Sequence, residues 1–267
     1  MKASETKKQA ASRDSQNAMY MFPYHHLVDF NPVDGTAFRQ HKVLKRGFIY
    51  ASYLIYVLQM LDNVQFQSII DIGCGDGFFT RKVKEKFPAR KVIGIDSSEQ
   101  AIAQARVLNA DKNVSFIQKN IVTDALSAQY DCATLIEVLE HIPIEKVDTF
   151  IRAIYELLGE NATLIITVPS INLPIKHISR HFQHFTADSL RQILEHYFYL
   201  DTVEYIDKEN KWSRRIISKV FENSYFILNS DRLINSVFQF YFNHFLHARE
   251  NDGCRLIAVC RKKRNVS

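Results

Sequence analysis

Apolar residues recur along this chain with two different periods, and each change of period marks an element. Dense short apolar runs at residues 68–72, 91–96, 114–119, 130–136 and 163–168, the last stopped by Pro169, read as buried strands. Between them the apolar positions fall three and four apart, over 78–87, 99–109 and 145–158, which predicts helices. In the last of these, Val147, Phe150, Ile151, Ile154 and Leu157 share one face. Ser97 or Ser98 caps the 99–109 helix, and Thr186 or Ala187 caps a further helix over 188–197. A sixth strand follows near 199–205 and a seventh at 255–261. Alternating strands and helices predict an α/β fold: a doubly wound, mostly parallel seven-stranded sheet.

Two regions break the alternation. Residues 1–17 are polar and read as a disordered tail. Residues 18–66 form an N-terminal cap, first aromatic and irregular with His25 and His26 as structural residues, then a helix over 47–61. The core spans 67–207. Residues 208–251 then read as one long helical stretch where a short crossover would suffice, so they are an insertion before the last strand. The stretch is too apolar to stand in water, which leaves three roles: a lid over an acceptor pocket, a homodimer face, or a peripheral membrane contact. Residues 252–267 hold the last strand and a basic tail.

Composition narrows the class. The 267 residues are 46% hydrophobic, enough to bury a sizeable core, and the net charge of +5 permits nucleic acid or an anionic surface without demanding either. The four cysteines (Cys74, Cys132, Cys254, Cys260) show no C-x-x-C spacing and read as small core residues of a reducing compartment. There is no secretory pattern in the first 17 residues and no run of 18 uncharged apolar residues. The expectation is a cytoplasmic enzyme with no spanning helix.

The chemistry gathers where strands end. The first strand runs into Gly73, Gly75 and Gly77, whose missing side chains let backbone lie against a ligand. Asp96, about 20 residues on, closes the second strand, where a carboxylate can grip two ribose hydroxyls. The third glycine comes one residue early for a dinucleotide fingerprint, at 77 with Phe78 following, and no G-K-S/T follows for a nucleoside triphosphate. Asp71 and Asp76 add negative charge, which suits a cationic sulfonium or amino group better than a diphosphate.

The run Asp71-Ile72-Gly73-Cys74-Gly75-Asp76-Gly77, with Asp96, resembles motif I and its acidic partner in class I S-adenosylmethionine-dependent methyltransferases, and the likeness extends over 68–261. It implies a Rossmann-like methyltransferase fold and S-adenosyl-L-methionine as cofactor. Gly73, Cys74, Gly75 and Gly77 would shape the cofactor turn, with Asp71 and Asp76 at the amino-acid end and Asp96 on the ribose. Ser97 and Ile121 would flank the adenosine. Asn120, where many members carry aspartate, would accept the adenine amino group through its carbonyl. Glu137 falls at the family position beside the transferred methyl.

Glu137, Glu140 and His141 stand at i, i+3 and i+4, a spacing that serves metal ligation or a general base. His181 and His184 lie in the loop after the fifth strand, facing His141 across the cofactor. His184-Phe185-Thr186 with Leu190 resembles the H-F-T-x-x-x-L signature of a broad bacterial and quinone-type O-methyltransferase group. That likeness implies methylation of a hydroxyl on a small-molecule or glycan-type acceptor, with His184 as base and His141 or His181 next. A second resemblance, to the Hen1-type RNA 2′-O-methyltransferases, implies a divalent metal on Glu137, Glu140, His141 and His181 and RNA as acceptor. The chain departs from that group at Phe185-Thr186-Ala187, where the group carries F-E-W. A reading from another class is a cofactor-binding scaffold without turnover.

Overall fold

The computed structural model describes residues 45–109, 113–124, 129–174, 181–208 and 230–264, with positions 29, 30, 33, 38 and 39. The seven strands of the main sheet are β1 (Ser68–Ile72), β2 (Lys91–Asp96), β3 (Val114–Gln118), β4 (Tyr130–Ile136), β5 (Leu158–Pro169), β6 (Phe198–Lys208) and β7 (Gly253–Lys262); Asp29–Phe30 and Phe38–Arg39 pair separately. Six helices are described: α1 (Lys45–Leu61), α2 (Phe78–Lys86), α3 (Glu99–Leu108), α4 (Val147–Leu157), α5 (Ala187–Leu194) and α6 (Asp231–Phe245). The sheet order is β3-β2-β1-β4-β5-β7-β6, parallel from β3 through β5, with β7 antiparallel to both β5 and β6. The order reverses between β1 and β4, and ligands of open α/β sheets bind outside the carboxyl ends of the strands at such a reversal.

Both faces of the sheet are covered. On one, Phe48, Leu54 and Leu58 of α1 and Phe78, Phe79 and Val83 of α2 pack on Ile69 and Val92. Ile234, Phe238 and Tyr241 of α6 join the same cluster, with the Phe48 and Phe238 rings 5.6 Å apart. On the other face, Ile151 and Ile154 of α4 and Leu190 and Leu194 of α5 cover Ile70, Leu135 and Ile166. The alternation of Ile69 and Ile70 between two clusters is the period-two geometry of a strand buried on both sides. The described part of the insertion therefore completes the core beside α1.

The largest differences from the sequence expectation fall at the antiparallel edge. Lys208 closes β6 by pairing with Gly253, so the strand runs past the expected 205. Of the expected helical stretch over 208–251, the described helix is Asp231–Phe245; residues 246–252 make an isolated bridge from His247 to Ile206 and a turn. Apolar periodicity in an aromatic-rich stretch does not report that β6 and β7 continue pairing beyond their neighbours. β5 also begins earlier than expected, at Leu158, where it pairs with Tyr130. The tail over 1–17, His25, His26 and residues 209–229 lie outside the described residues. All four cysteines are buried and none is in a disulfide, and among the described residues no helix is long and apolar enough to cross a membrane.

Candidate active site

The turn after β1 is held by backbone. Gly73, Gly75 and Gly77 all have left-handed backbones, with φ of 72°, 57° and 79°. A Cβ on Gly73 would lie 2.4 Å from Val138 Cγ2, and one on Gly77 2.5 Å from the Phe116 ring, so neither position tolerates a side chain. The N–H groups of Gly73 and Cys74 both donate to the Ile95 carbonyl, at 2.8 and 2.9 Å, which lashes the turn to β2. Cys74 itself packs downward with Ile102, Ala105 and Phe116, and burial raises its thiol pKa well above the usual value. Its contribution to the turn is thus its backbone.

The carboxylates divide into three environments. Asp71 is buried; its Oδ2 accepts from the Thr80 hydroxyl at 2.6 Å and its Oδ1 from Thr134 at 2.8 Å. Burial outweighs these bonds and pushes its pKa up to about 6. Asp76 Oδ1 accepts the Phe78 N–H at 3.2 Å, and its carbonyl accepts from the buried Asn109 side chain at 2.7 Å, tying the turn to α3. Asp96 is buried at the end of β2, where Oδ2 accepts the Gly75 N–H at 3.1 Å and Oδ1 the Ser98 N–H at 2.8 Å. Burial raises its pKa while these backbone donors lower it. Each Asp96 oxygen keeps further acceptor capacity, so the residues present fit a ligand offering two hydroxyls.

The remaining adenosine-side positions are more exposed. Ser98, rather than Ser97, caps α3, accepting the Ala101 N–H at 3.2 Å; Ser97 is exposed. Asn120 uses its Oδ1 to accept the Val122 N–H at 3.0 Å, a local turn that occupies one lone pair of the carbonyl expected to meet adenine. Ile121 is half-buried against the cluster under α4 and α5.

Across the switch point, two segments distant in sequence meet. Glu140 and His141 lie in a single 3-10 turn (Leu139–His141), and the Phe182 N–H donates to the Glu140 carbonyl at 2.8 Å. That bond draws the 181–184 loop against the turn. The His141 and His181 rings meet edge-on with centroids 4.9 Å apart, and His181 Nδ1 lies 2.9 Å from His184 Nε2. The three imidazoles make one contiguous row with His181 in the middle, so His181 touches His141 directly instead of facing it across a cofactor. Burial, then His141 and His184, pushes His181 down to about 3, and burial lowers His184 as well.

Glu140 is fully buried beside this row, its Oε2 has no hydrogen-bond partner among the described residues, and burial followed by Glu137 raises its pKa well above the carboxylate range. Ligand atoms of Glu140, His141 and His181 all lie within 4.8 Å of one another, close enough to converge on one cation. Glu137 stands outside this group. Its backbone is left-handed, with φ of 54°, and its Oε2 accepts from Arg255 Nε at 3.1 Å. The i, i+3, i+4 spacing assumes a regular helical turn; with the reversal at Glu137 its carboxylate goes to Arg255, near enough to act on Glu140 but outside the ligand cluster.

Arg255 escaped the sequence reading. Its signal was present, as a lone charge in the otherwise apolar run from Cys254 to Cys260. Thr80 and Thr134, the partners of Asp71, carry no such signal, because only the sheet register places Thr134 opposite Asp71.

With this geometry in hand, comparison with known proteins is informative. A family model described as a methyltransferase domain matches residues 46–199, more than half of the chain. The ubiquinone biosynthesis O-methyltransferase of Serratia proteamaculans is 30% identical over 94 residues, which are 34% of this chain and 38% of that protein. The chain thus matches under two fifths of that relative's length. Among solved structures, the N-methyltransferase NodS from Bradyrhizobium japonicum with S-adenosyl-L-homocysteine superposes with a TM-score of 0.54 at 15% identity, covering 79% of this chain and 86% of NodS. The methyltransferase domain of a bacterial Hen1 gives 0.56 at 17% identity, covering 80% and 99%. At such identities the structures testify to the fold, while the family model reaches through α1, the glycine turn and the histidine loop. The chain belongs to the methyltransferase-domain family, and within it to the class I S-adenosylmethionine-dependent methyltransferases.

Proposed function

We propose that this protein transfers the methyl group of S-adenosylmethionine to a hydroxyl of a small-molecule or glycan-type acceptor. The observation that carries the reading is the contiguous row His141–His181–His184, which starts three residues after Val138, the residue packed against Gly73. Gly73, Gly75 and Gly77 receive the cofactor, Asp96 takes the ribose hydroxyls, and Asp76 and Glu137 border its amino-acid end and methyl. Asp71 acts through Thr80 and Thr134 to hold the turn. Asn120, Ser97 and Ile121 surround the adenosine.

S-adenosylmethionine, held by the glycine turn and Asp96, would supply an activated methyl to an acceptor oxygen placed in line with it, and an imidazole of the row takes the acceptor's hydroxyl proton. The sulfonium is already a strong leaving group, so the residues supply alignment and a base. His184 is the assigned base, with His181 bonded to it as a relay. The local identity to ubiquinone O-methyltransferases supports a hydroxyl acceptor. Titration with S-adenosylhomocysteine tests the cofactor half, and methyl transfer to a panel of phenolic and sugar hydroxyls tests the acceptor half. No binding of S-adenosylhomocysteine would overturn the reading.

One observation favours a second reading, in which a divalent cation sits on Glu140, His141 and His181 and orients the acceptor: ligand atoms of the three lie within 4.8 Å of one another, and a buried Glu140 oxygen has no hydrogen-bond partner among the described residues. Loss of turnover in a chelator, restored by added metal, selects it over the imidazole row acting alone.

A further inference from the structure

Three residues other than glycine have left-handed backbones among the described residues: Glu137, Asn161 and Asp207. Asparagine adopts this conformation readily, whereas glutamate has no local reason to. Glu137 and Asp207 have a partner in common. Arg255 donates from Nε to Glu137 Oε2 at 3.1 Å and from Nη1 to Asp207 Oδ2 at 2.5 Å.

The sheet order explains how one side chain reaches both. Arg255 lies on β7, paired with Pro169 of β5 on one side and Ile206 of β6 on the other. Glu137 follows β4, one strand beyond β5, and Asp207 directly follows Ile206. The guanidinium also stacks 4.8 Å from the ring centre of Tyr53 on α1, and Tyr241 of α6 donates to the other oxygen of Asp207 at 3.2 Å. Arg255 is thus tied to the N-terminal helix and the insertion helix at the same time as to the site. Strained residues persist where their surroundings over-determine them, and they cluster at functional sites.

At Glu137 the restraint has a direction. The Thr167 carbonyl and hydroxyl receive its N–H, at 3.1 and 3.2 Å, and Arg255 holds one carboxylate oxygen. The other oxygen, Oε1, is buried and has no hydrogen-bond partner among the described residues. A buried acceptor left open while its twin is clamped is costly unless a ligand donor completes it.

We propose that Arg255 is a positioning residue for this site: it holds Glu137 in its left-handed conformation and turns the open oxygen of that carboxylate toward the bound cofactor. The proposal rests on the reading that Glu137 borders the cofactor. The planar fork of arginine suits it to two carboxylates at once, which the single point charge of lysine does not match.

A double-mutant cycle on the full chain tests this, with S-adenosylhomocysteine affinity read by calorimetry and the melting midpoint read on the same samples. Glu137→Gln and Arg255→Gln are each expected to weaken binding about tenfold, the range for losing a hydrogen bond to a charged group. The double variant is expected to lose no more than either alone, because both changes remove one interaction. Arg255→Lys, which keeps the charge, provides the measurement if Arg255→Gln does not fold; it is expected to fold and still bind several-fold more weakly. Losses that multiply across the double variant overturn the proposal, as does full affinity in Arg255→Lys. Weakened binding in Glu137→Gln with none in Arg255→Gln overturns it while leaving the cofactor reading of Glu137 intact. Full affinity in Glu137→Gln removes both.

Discussion

The two halves of the proposed site are built on different principles. The cofactor half lies within a short stretch of sequence: β1, the turn from Gly73 to Gly77, and Asp96 on the neighbouring strand. Its geometry comes from backbone, through three left-handed glycines and two N–H groups on one carbonyl. The acceptor half joins the turn after β4 and the loop after β5, and works through side chains that touch. A backbone device needs particular local residues and so leaves a motif. A side-chain device needs only that the fold bring its parts together. The first half should therefore fail in shape when altered, and the second in chemistry.

The sharpest test of that division is His184→Ala. Loss of a general base costs about a hundredfold or more in turnover, with S-adenosylhomocysteine affinity unchanged. A fall in affinity of similar size would mean that the two halves are not separable. Next comes Gly73→Ala, in which a left-handed alanine also meets Val138, so the expected loss of stability is about 2–4 kcal/mol by denaturant unfolding. Adding Val138→Ala removes the 2.4 Å clash and should restore part of it, leaving the backbone penalty. No recovery in the pair would show that the turn is not limited by that contact.

A smaller effect concerns Asp71, held in the folded chain at about pKa 6 by burial. The folded pKa lies above the unfolded value of about 3.9, so the folded state binds the proton more tightly. Its favourable contribution is complete below about pH 4 and is lost as the pH rises through 6. Asp71→Asn, which cannot ionise, should gain on the parent by about 2–3 kcal/mol between pH 4 and pH 8. Unfolding midpoints of the two proteins measured across that interval check it; a constant gap would remove the argument. Smallest is Asn120→Ala, which loses a local bond to Val122 on an exposed turn and should change stability by about 0.5 kcal/mol or less. A tenfold loss of S-adenosylhomocysteine affinity there would give its remaining acceptor capacity to adenine.

The elements were largely legible because a doubly covered sheet imposes its period on sequence. Ile69 and Ile70 had to be apolar whichever face each took, and Val147 through Leu157 had to repeat every three to four residues. What misled the reading was the antiparallel edge. Lys208 and Gly253 pair because β6 and β7 outrun the sheet, and the aromatic stretch beyond gave no sign of where pairing stopped. At the site, spacing grouped Glu137 with Glu140 and His141 as ligands, while the reversal at φ 54° gives its carboxylate to Arg255 and leaves it outside their cluster.

By itself, the sequence determined the α/β alternation, the glycine turn and the placing of Asp96 at the end of the neighbouring strand. Each of these depends on residues close along the chain, where a missing Cβ or a strand period acts without help from elsewhere. The tertiary structure alone decided that His181 stands between His141 and His184, that Thr134 meets Asp71, and that Arg255 restrains Glu137 and Asp207 together. Those are meetings of residues far apart in sequence, created by sheet order and register. The free energy of such contacts depends on distances that no single segment encodes.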